Sequence, residues 1–143
     1  MSDRDAAIHA FIAASGWGDA QVGPLAGDAS NRRYLRLKRD RDTAVVMDAP
    51  KEKGEDIRPF LDIARYLSEI GLSAPGILAE DEAQGFILLE DLGDDLFARV
   101  IPKHPELEYT LYSSATDLLV HLHQNPPLAK LAPYDVPMMA DMA

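Results

Sequence analysis

The chain has 143 residues and a mass of 15.7 kDa, enough for one domain, or a domain and part of another, with its own core. Its 14 Lys and Arg against 24 Asp and Glu give a net charge of −10, which disfavours nonspecific binding to nucleic acid or an anionic membrane. The absence of cysteine excludes disulfides, thiolate metal sites and cysteine nucleophiles, and the hydropathy pattern predicts neither a membrane span nor a signal peptide. We therefore expect a cytoplasmic protein without nucleic-acid or membrane partners.

The chain begins with a predicted amphipathic helix over residues 2–15. Ser2 and Asp5 have the spacing of a capping box, and Gly16 supplies the stop. Residues 21–25 form a weak predicted strand, since glycine and proline within it lower its strand propensity.

A β-hairpin is predicted next. Residues 33–38 alternate, with Arg33, Leu35 and Leu37 on one face, and residues 43–47 form the following strand. The connection between them is so short that the two strands must pair antiparallel.

The rest of the chain is predicted to contain one helix, two short strands and then only helices. Apolar spacing predicts a helix from Pro59 to Ile70, then two short strands near residues 76–80 and 85–90. After Gly93 a short helix and a longer one from Pro105 follow. Antiparallel strands followed by helices indicate an α+β fold.

The connection between the first two strands is the first candidate site. Its small residues let a backbone approach a ligand closely, and consecutive amides in such a turn can cradle an anion. Residues 32–41 hold six basic side chains and one acid, which suits a polyphosphate. A plain hairpin with solvated basic residues is the alternative, because no P-loop or complete GxGxxG is present. The candidate residues are Gly27, Asp28, Ala29, Ser30, Asn31, Arg32, Arg33 and Tyr34.

A second segment, residues 85–93, is an apolar strand that ends in an acidic, glycine-terminated connector. With the loop, it makes the chain resemble the N-terminal lobe and the start of the C-terminal lobe of the aminoglycoside phosphotransferase-type kinases. Within that group the chain is most similar to bacterial kinases of cell-wall recycling that phosphorylate N-acetylmuramate and N-acetylglucosamine at the anomeric hydroxyl. The segments that carry the resemblance are Gly27 to Leu37, Val45 to Pro50, Pro59-Phe60 with Ile63-Ala64, and Gly85 to Gly93.

The resemblance implies a kinase-like cleft that binds ATP. Residues 27–34 would cover its phosphates, with Mg²⁺ bridging them, and a sugar would be the acceptor. Glu90, Asp91 and Leu92 would form the hinge, where the backbone of Glu90 and Leu92 meets the adenine edge.

Two positions depart from the family. Most such kinases carry a phosphate-gripping lysine on the third strand, paired with a glutamate on the next helix. Here the corresponding residues are Met47, which keeps its place among the candidate nucleotide-binding residues, and Phe60. Both are apolar, so the ion pair is absent and no buried charge is left unpartnered. We expect Arg32 or Arg33 to make the phosphate contact instead.

The family's catalytic aspartate lies in a His-Gly-Asp-like loop of the C-terminal lobe, followed by metal-binding Asn and Asp residues. The nearest imitation here, residues 121–125, lies on a predicted helix and lacks the aspartate. On a helix His121 and His123 point about 200° apart, so they form no chelating pair. We expect no catalytic and no metal-ligating residue in this chain, weak nucleotide binding at best, and no phosphoryl transfer by it alone.

The predicted architecture is a kinase-like small lobe over residues 1–93, with an antiparallel sheet of about five strands and a packed helix. Residues 94–143 would begin a helical C-terminal lobe, truncated before the catalytic loop. A naturally short nucleotide-binding or scaffold module is one alternative, and a kinase for an aminoglycoside, choline or another small alcohol is another. In a truncated chain the apolar face of the helix over residues 105–124 would be exposed and would drive self-association.

Overall fold

The computed structural model describes residues 2–25 and 30–131, and the chain divides into two compact units, Met1–Leu96 and Phe97–Ala143. Within the described residues the first unit has five strands and two α-helices, which confirms the predicted α+β class. Its elements are, in chain order, α1 (Asp3–Ile12), β1 (Gln21–Leu25), β2 (Arg33–Arg39), β3 (Asp42–Asp48), α2 (Arg58–Glu69), β4 (Ile77–Asp81) and β5 (Phe86–Glu90).

The start of α1 is closed by the predicted capping box. The Asp5 N–H donates to Ser2 Oγ at 3.1 Å, and the Ser2 N–H donates to the Asp5 carboxylate at 3.2 Å. Beyond α1 a wider turn, Ala13–Trp17, contains Gly16 at a φ of +80°, a conformation that glycine adopts without steric cost. The helix therefore begins at its predicted cap, while its α-helical part ends at Ile12 and the wider turn continues to the predicted stop at Gly16.

The five strands form one antiparallel sheet in the order β1-β2-β3-β5-β4, so β3 is central. The β2–β3 hairpin is confirmed: Arg39 is opposite Asp42, and Asp40 in the turn has a φ of 50°. Pro24 is accommodated because β1 is an edge strand, where one side of the backbone needs no partner.

Each face of the sheet carries one helix. α1 packs on the face formed by alternate residues of β2, β3 and β5, and α2 packs on the opposite face. The cluster with α1 contains Ile8, Phe11, Ile12, Leu37, Ala44, Val46, Phe86 and Leu88. The cluster with α2 contains Val45, Met47, Ala49, Ile57, Leu61, Ile87 and Leu89. The central strands are thus buried on both sides, and two helices pack on the sheet where the sequence alone predicts one: the predicted N-terminal helix α1 covers the face opposite α2.

The second unit contains α3 (Phe97–Val100), a 3₁₀ turn at Pro105–Leu107, and α4 (Glu108–His123). The rings of Phe97 and Tyr112 meet edge to face with centroids 5.5 Å apart. No helix in the described part of the chain has the length and apolar character to cross a membrane. Several large apolar side chains of α4 are exposed: Tyr109, Tyr112, Leu118, Leu119 and Val120.

The β4–β5 turn provides a test of this packing. Gly85 has a φ of +75° and its carbonyl accepts the Ala49 N–H at 2.9 Å. A Cβ at Gly85 would lie 2.2 Å from the Ala49 carbonyl oxygen, whereas at Gly54, with a φ of +84°, a Cβ would meet no atom within 4 Å. Gly54→Ala therefore adds left-handed backbone strain alone, about 1–2 kcal/mol.

We expect Gly85→Ala to lower the free energy of unfolding at least about twice as much as Gly54→Ala, because the backbone must also move. Urea denaturation of the two variants measures both losses. Equal losses would contradict the close approach of the β4–β5 turn to the end of β3.

Candidate functional site

The predicted site residues fall at two ends of the sheet. Gly27, Asp28 and Ala29 lie outside the described residues, and Ser30 to Tyr34 lead into β2. Arg33 is opposite Asp48 at the end of β3, whereas Glu90 is opposite Ala44 near its start. Four residues of strand span roughly 13 Å. A ligand that contacts both the loop and the connector after β5 must therefore extend along the sheet.

Met47 lies at the centre of the α2 face, opposite Tyr34 on β2 and Ile87 on β5. It is fully buried, and Phe60 of α2 packs against the same cluster. An apolar contact thus occupies the place where the resemblance puts a lysine–glutamate pair. The Met47 side chain offers no exposed surface to a ligand.

Glu55, in the loop between β3 and α2, holds the residues that precede β2. The Asn31 N–H donates to Glu55 Oε1 at 3.1 Å, and Arg32 Nε donates to Oε2 at 2.9 Å. Asn31 Nδ2 donates to the Lys53 carbonyl at 3.2 Å. The hydrogen bond that Arg32 donates to Glu55 raises the pKa of Arg32 above its usual value. No periodic pattern in the sequence indicates Glu55, because it is one acid among several in a charged loop.

Arg33 points to the opposite face of the sheet. Its guanidinium lies 2.9 Å from Asp5 Oδ1 of α1 and 2.9 Å from Asp48 Oδ2. Hydrogen bonds from Ser2 and Arg33 lower the pKa of Asp5 to about 2. Arg33 is therefore committed to the α1 face, away from Tyr34 and Met47.

The connector after β5 is fixed by Asp91 and Arg36, a pair that sequence patterns did not indicate. Arg36 Nε lies 2.8 Å from Asp91 Oδ2, and the Gly93 N–H donates to Asp91 Oδ1 at 3.0 Å. Arg36 also donates to Asp94 at 2.6 Å. Burial pushes the pKa of Asp91 upward, but the hydrogen bonds from Gly93 and Arg36 outweigh it and leave that pKa below its usual value. These contacts fold the connector against β2.

Glu90 is already hydrogen-bonded to a neighbouring segment, whereas Leu92 is largely exposed. The Glu90 N–H donates to the Gly76 carbonyl at 2.8 Å, and the Glu90 carboxylate accepts the Gly76 N–H at 3.0 Å. Leu92 is 59% exposed. An adenine edge at this connector would therefore have to be met by backbone groups other than the Glu90 N–H.

Acidic side chains from elsewhere neutralise much of the basic run over residues 32–41. Besides the pairs of Arg32, Arg33 and Arg36, Arg39 lies 3.4 Å from Asp19 and stacks over the Trp17 ring. Arg32 and Arg33, the two basic residues beside the loop, are both paired with carboxylates, so phosphate recognition by them cannot rest on an unpaired charge. It has to use the N–H donors that an arginine keeps after pairing with one carboxylate, since its guanidinium carries five.

The described residues do not fit a magnesium ion. No group of three or more His, Asp or Glu side chains is placed to hold a metal within residues 2–25 and 30–131. His121 and His123 lie in the last turn of α4, where the His121 carbonyl accepts Asn125 Nδ2 at 2.8 Å.

Comparisons with known proteins bear on the resemblance. A family model described as "Phosphotransferase enzyme family" matches residues 21–138. The N-acetylmuramate/N-acetylglucosamine kinase of Caulobacter vibrioides is 38% identical over 160 residues, covering 94% of this chain and 44% of that protein. Kinases of the same name from Pseudomonas aeruginosa and Pseudomonas putida are 37% and 33% identical, each over 92% of this chain and 39% of their own length.

The chain thus spans about two-fifths of the length of these curated relatives. The family match runs from the start of β1 beyond the end of α4. The five-stranded antiparallel sheet agrees with the small lobe that the resemblance implied. The chain therefore belongs to the phosphotransferase enzyme family of kinases.

Proposed function

We propose that this chain is the nucleotide-binding part of an ATP-dependent kinase that phosphorylates the anomeric hydroxyl of N-acetylmuramate or N-acetylglucosamine. The observation that carries the proposal is the 33–38% identity, over 92–94% of the chain, to three kinases named for these sugars. Such a kinase acts in the cytoplasm, in the recycling of cell-wall sugars.

We assign residues 1–93 to a nucleotide-binding lobe and residues 94–143 to the start of a C-terminal lobe. The division into compact units after Leu96 supports this assignment. The connector after β5 supports it too, because Asp91 forms an ion pair with Arg36 of β2 and so is bound to the sheet of the first unit.

In this scheme ATP extends along the sheet, with its adenine edge at residues 90–93 and its phosphates at residues 27–34. Arg32, on the same side as Tyr34, donates to a phosphate oxygen. Catalysis of phosphoryl transfer is mostly positioning and charge stabilisation, to which Mg²⁺ contributes in this family. We place the metal ligands and the catalytic aspartate outside these 143 residues, because the sequence has no His-Gly-Asp-like loop.

Phosphoryl transfer tests the proposed acceptor. With ATP and Mg²⁺, we expect the full-length protein to form sugar 1-phosphate from N-acetylmuramate and N-acetylglucosamine, and no product from an aminoglycoside or choline, as read by ³¹P NMR. We expect the 143-residue chain by itself to give no turnover. Turnover with choline or an aminoglycoside instead would refute the acceptor, and turnover by the chain alone would refute the placement of the catalytic residues.

Arginine variants test the phosphate contact. We expect Arg32→Ala to raise the KM for ATP about tenfold, the effect of one charge-assisted hydrogen bond, with the KM for the sugar unchanged. Arg33→Ala should leave the KM for ATP near its original value and lower stability, because Asp48 loses a partner for its buried charge. Steady-state kinetics and urea denaturation give both readouts. An unchanged KM for ATP in both variants would remove the phosphate role.

We also propose that the apolar face of α4 makes the 143-residue chain self-associate. Leu118 is 53% exposed on that helix, as are its large apolar neighbours. Leu118→Lys should shift the sedimentation coefficient toward that of a monomer. Ser114→Lys, which adds the same charge at an exposed polar position of α4, should not. A monomeric parent chain at the same concentration would contradict the proposal.

A further inference from the structure

We propose that Glu55 is a positioning residue for nucleotide binding, and that its pair with Arg32 takes the place of the ion pair missing at Met47 and Phe60. This inference rests on the proposed function, since it assigns Glu55 a part in binding ATP. The observations behind it are the contacts of the Glu55 carboxylate with Asn31 and Arg32, which no pattern in the sequence indicated.

Both oxygens of the Glu55 carboxylate are used on the segment that leads into β2. One accepts the Asn31 N–H at 3.1 Å and the other accepts Arg32 Nε at 2.9 Å. The Glu55 side chain is 13% exposed and that of Arg32 is 25% exposed, so both charges are partly withdrawn from water. The two bonds hold a cation and the adjacent backbone in fixed directions at the base of the phosphate-covering loop.

The pair connects segments adjacent to the two elements that the family's ion pair joins. That ion pair joins a lysine on the sheet to a glutamate on the helix that follows the third strand. Arg32 immediately precedes β2, and Glu55 lies three residues before α2. The apolar cluster around Met47 occupies the interior of this face, so the charged pair lies at its end instead.

Stability alone gives a poor account of the pair. Withdrawing two charges from water costs free energy that their mutual attraction returns only in part, so an apolar contact at this place could stabilise the fold equally well. The Arg32 guanidinium bonds Glu55 through Nε and also interacts with the Tyr34 side chain, and a guanidinium with five N–H donors still has further donors for a phosphate oxygen. Because the pair as a whole is neutral, it can donate to a phosphate oxygen without holding an unpartnered charge at the protein surface.

The test uses steady-state kinetics of the full-length protein with Glu55→Ala, Glu55→Gln, Arg32→Ala and the double variant Arg32→Ala/Glu55→Ala. We expect Glu55→Ala to raise the KM for ATP about tenfold and to change the KM for the sugar by less than about twofold. Glu55→Gln, which keeps an acceptor and loses the charge, should fall between. The double variant should resemble the more impaired single variant, because coupled residues are not additive.

Glu52→Ala is the matched control, since it removes the same charge from an exposed position of the same loop. It should leave the KM for ATP within about twofold of the original. An equal effect of Glu52→Ala would show that the loop acts through its overall charge, and would overturn the inference. Multiplicative effects in the double variant would also overturn the inference, because the two residues would then act independently. A parallel rise of both KM values with a fall in the urea midpoint would overturn it too, because the loss would then be one of stability.

Failure of the proposed function has a different signature. If the unaltered protein transfers no phosphoryl group, binding of a fluorescent ATP analogue replaces the KM for ATP as the readout. Weaker binding by Glu55→Ala than by Glu52→Ala would then support the role of Glu55 while the kinase assignment fails. Equal binding by the two variants, or no binding by the unaltered protein, would overturn the inference.

Discussion

Asp48 is the one charged side chain that is buried among the described residues, and it lies at the end of the central strand. Arg4 of α1 donates to it at 2.6 Å, and Arg33 of β2 lies 2.9 Å away. Arg4 also donates to the Gln84 carbonyl in the β4–β5 turn and stacks over the Phe86 ring. The Arg4–Asp48 pair therefore joins α1 to β3, while Asp48 also binds Arg33 of β2 and Arg4 also binds the β4–β5 turn. A buried charge that loses its partner costs about 3–5 kcal/mol, so the packing of α1 depends on this contact.

The same arrangement separates basic residues that are neighbours in the sequence. Side chains alternate between the faces of a strand, so Arg33 is directed to α1 while Arg36 lies on the side of Val45 and Leu89. Arg33 serves the structure through Asp48, and Arg36 fixes the connector through Asp91. A run that reads as one basic patch is therefore divided between two layers of the fold.

Two charged anchors hold the candidate site at opposite ends of β3. Glu55 binds the segment before β2 at one end, and Asp91 is bound by Arg36 at the other. β3 and β5 are buried on both faces between these anchors, and this packing fixes the distance that separates them. A binding site built on such a frame keeps its geometry better than one carried by loops alone. The interior of this face can then remain apolar around Met47, with its polar groups at the ends.

The sequence by itself determined the elements, the capping box at Ser2, the hairpin and the α+β class, because caps and periodicity are local and act over a few residues. The resemblance to the kinase family was also visible in it. Only the tertiary structure decided which acid neutralises which base. Arg32 pairs with Glu55, which lies 23 residues away in the sequence. The separation is 44 residues for Arg4 and Asp48 and 55 residues for Arg36 and Asp91. Such pairs follow from strand register and from which helix covers which face. No local pattern encodes that choice, since many acids in an acidic chain are equivalent until the fold brings one of them within reach.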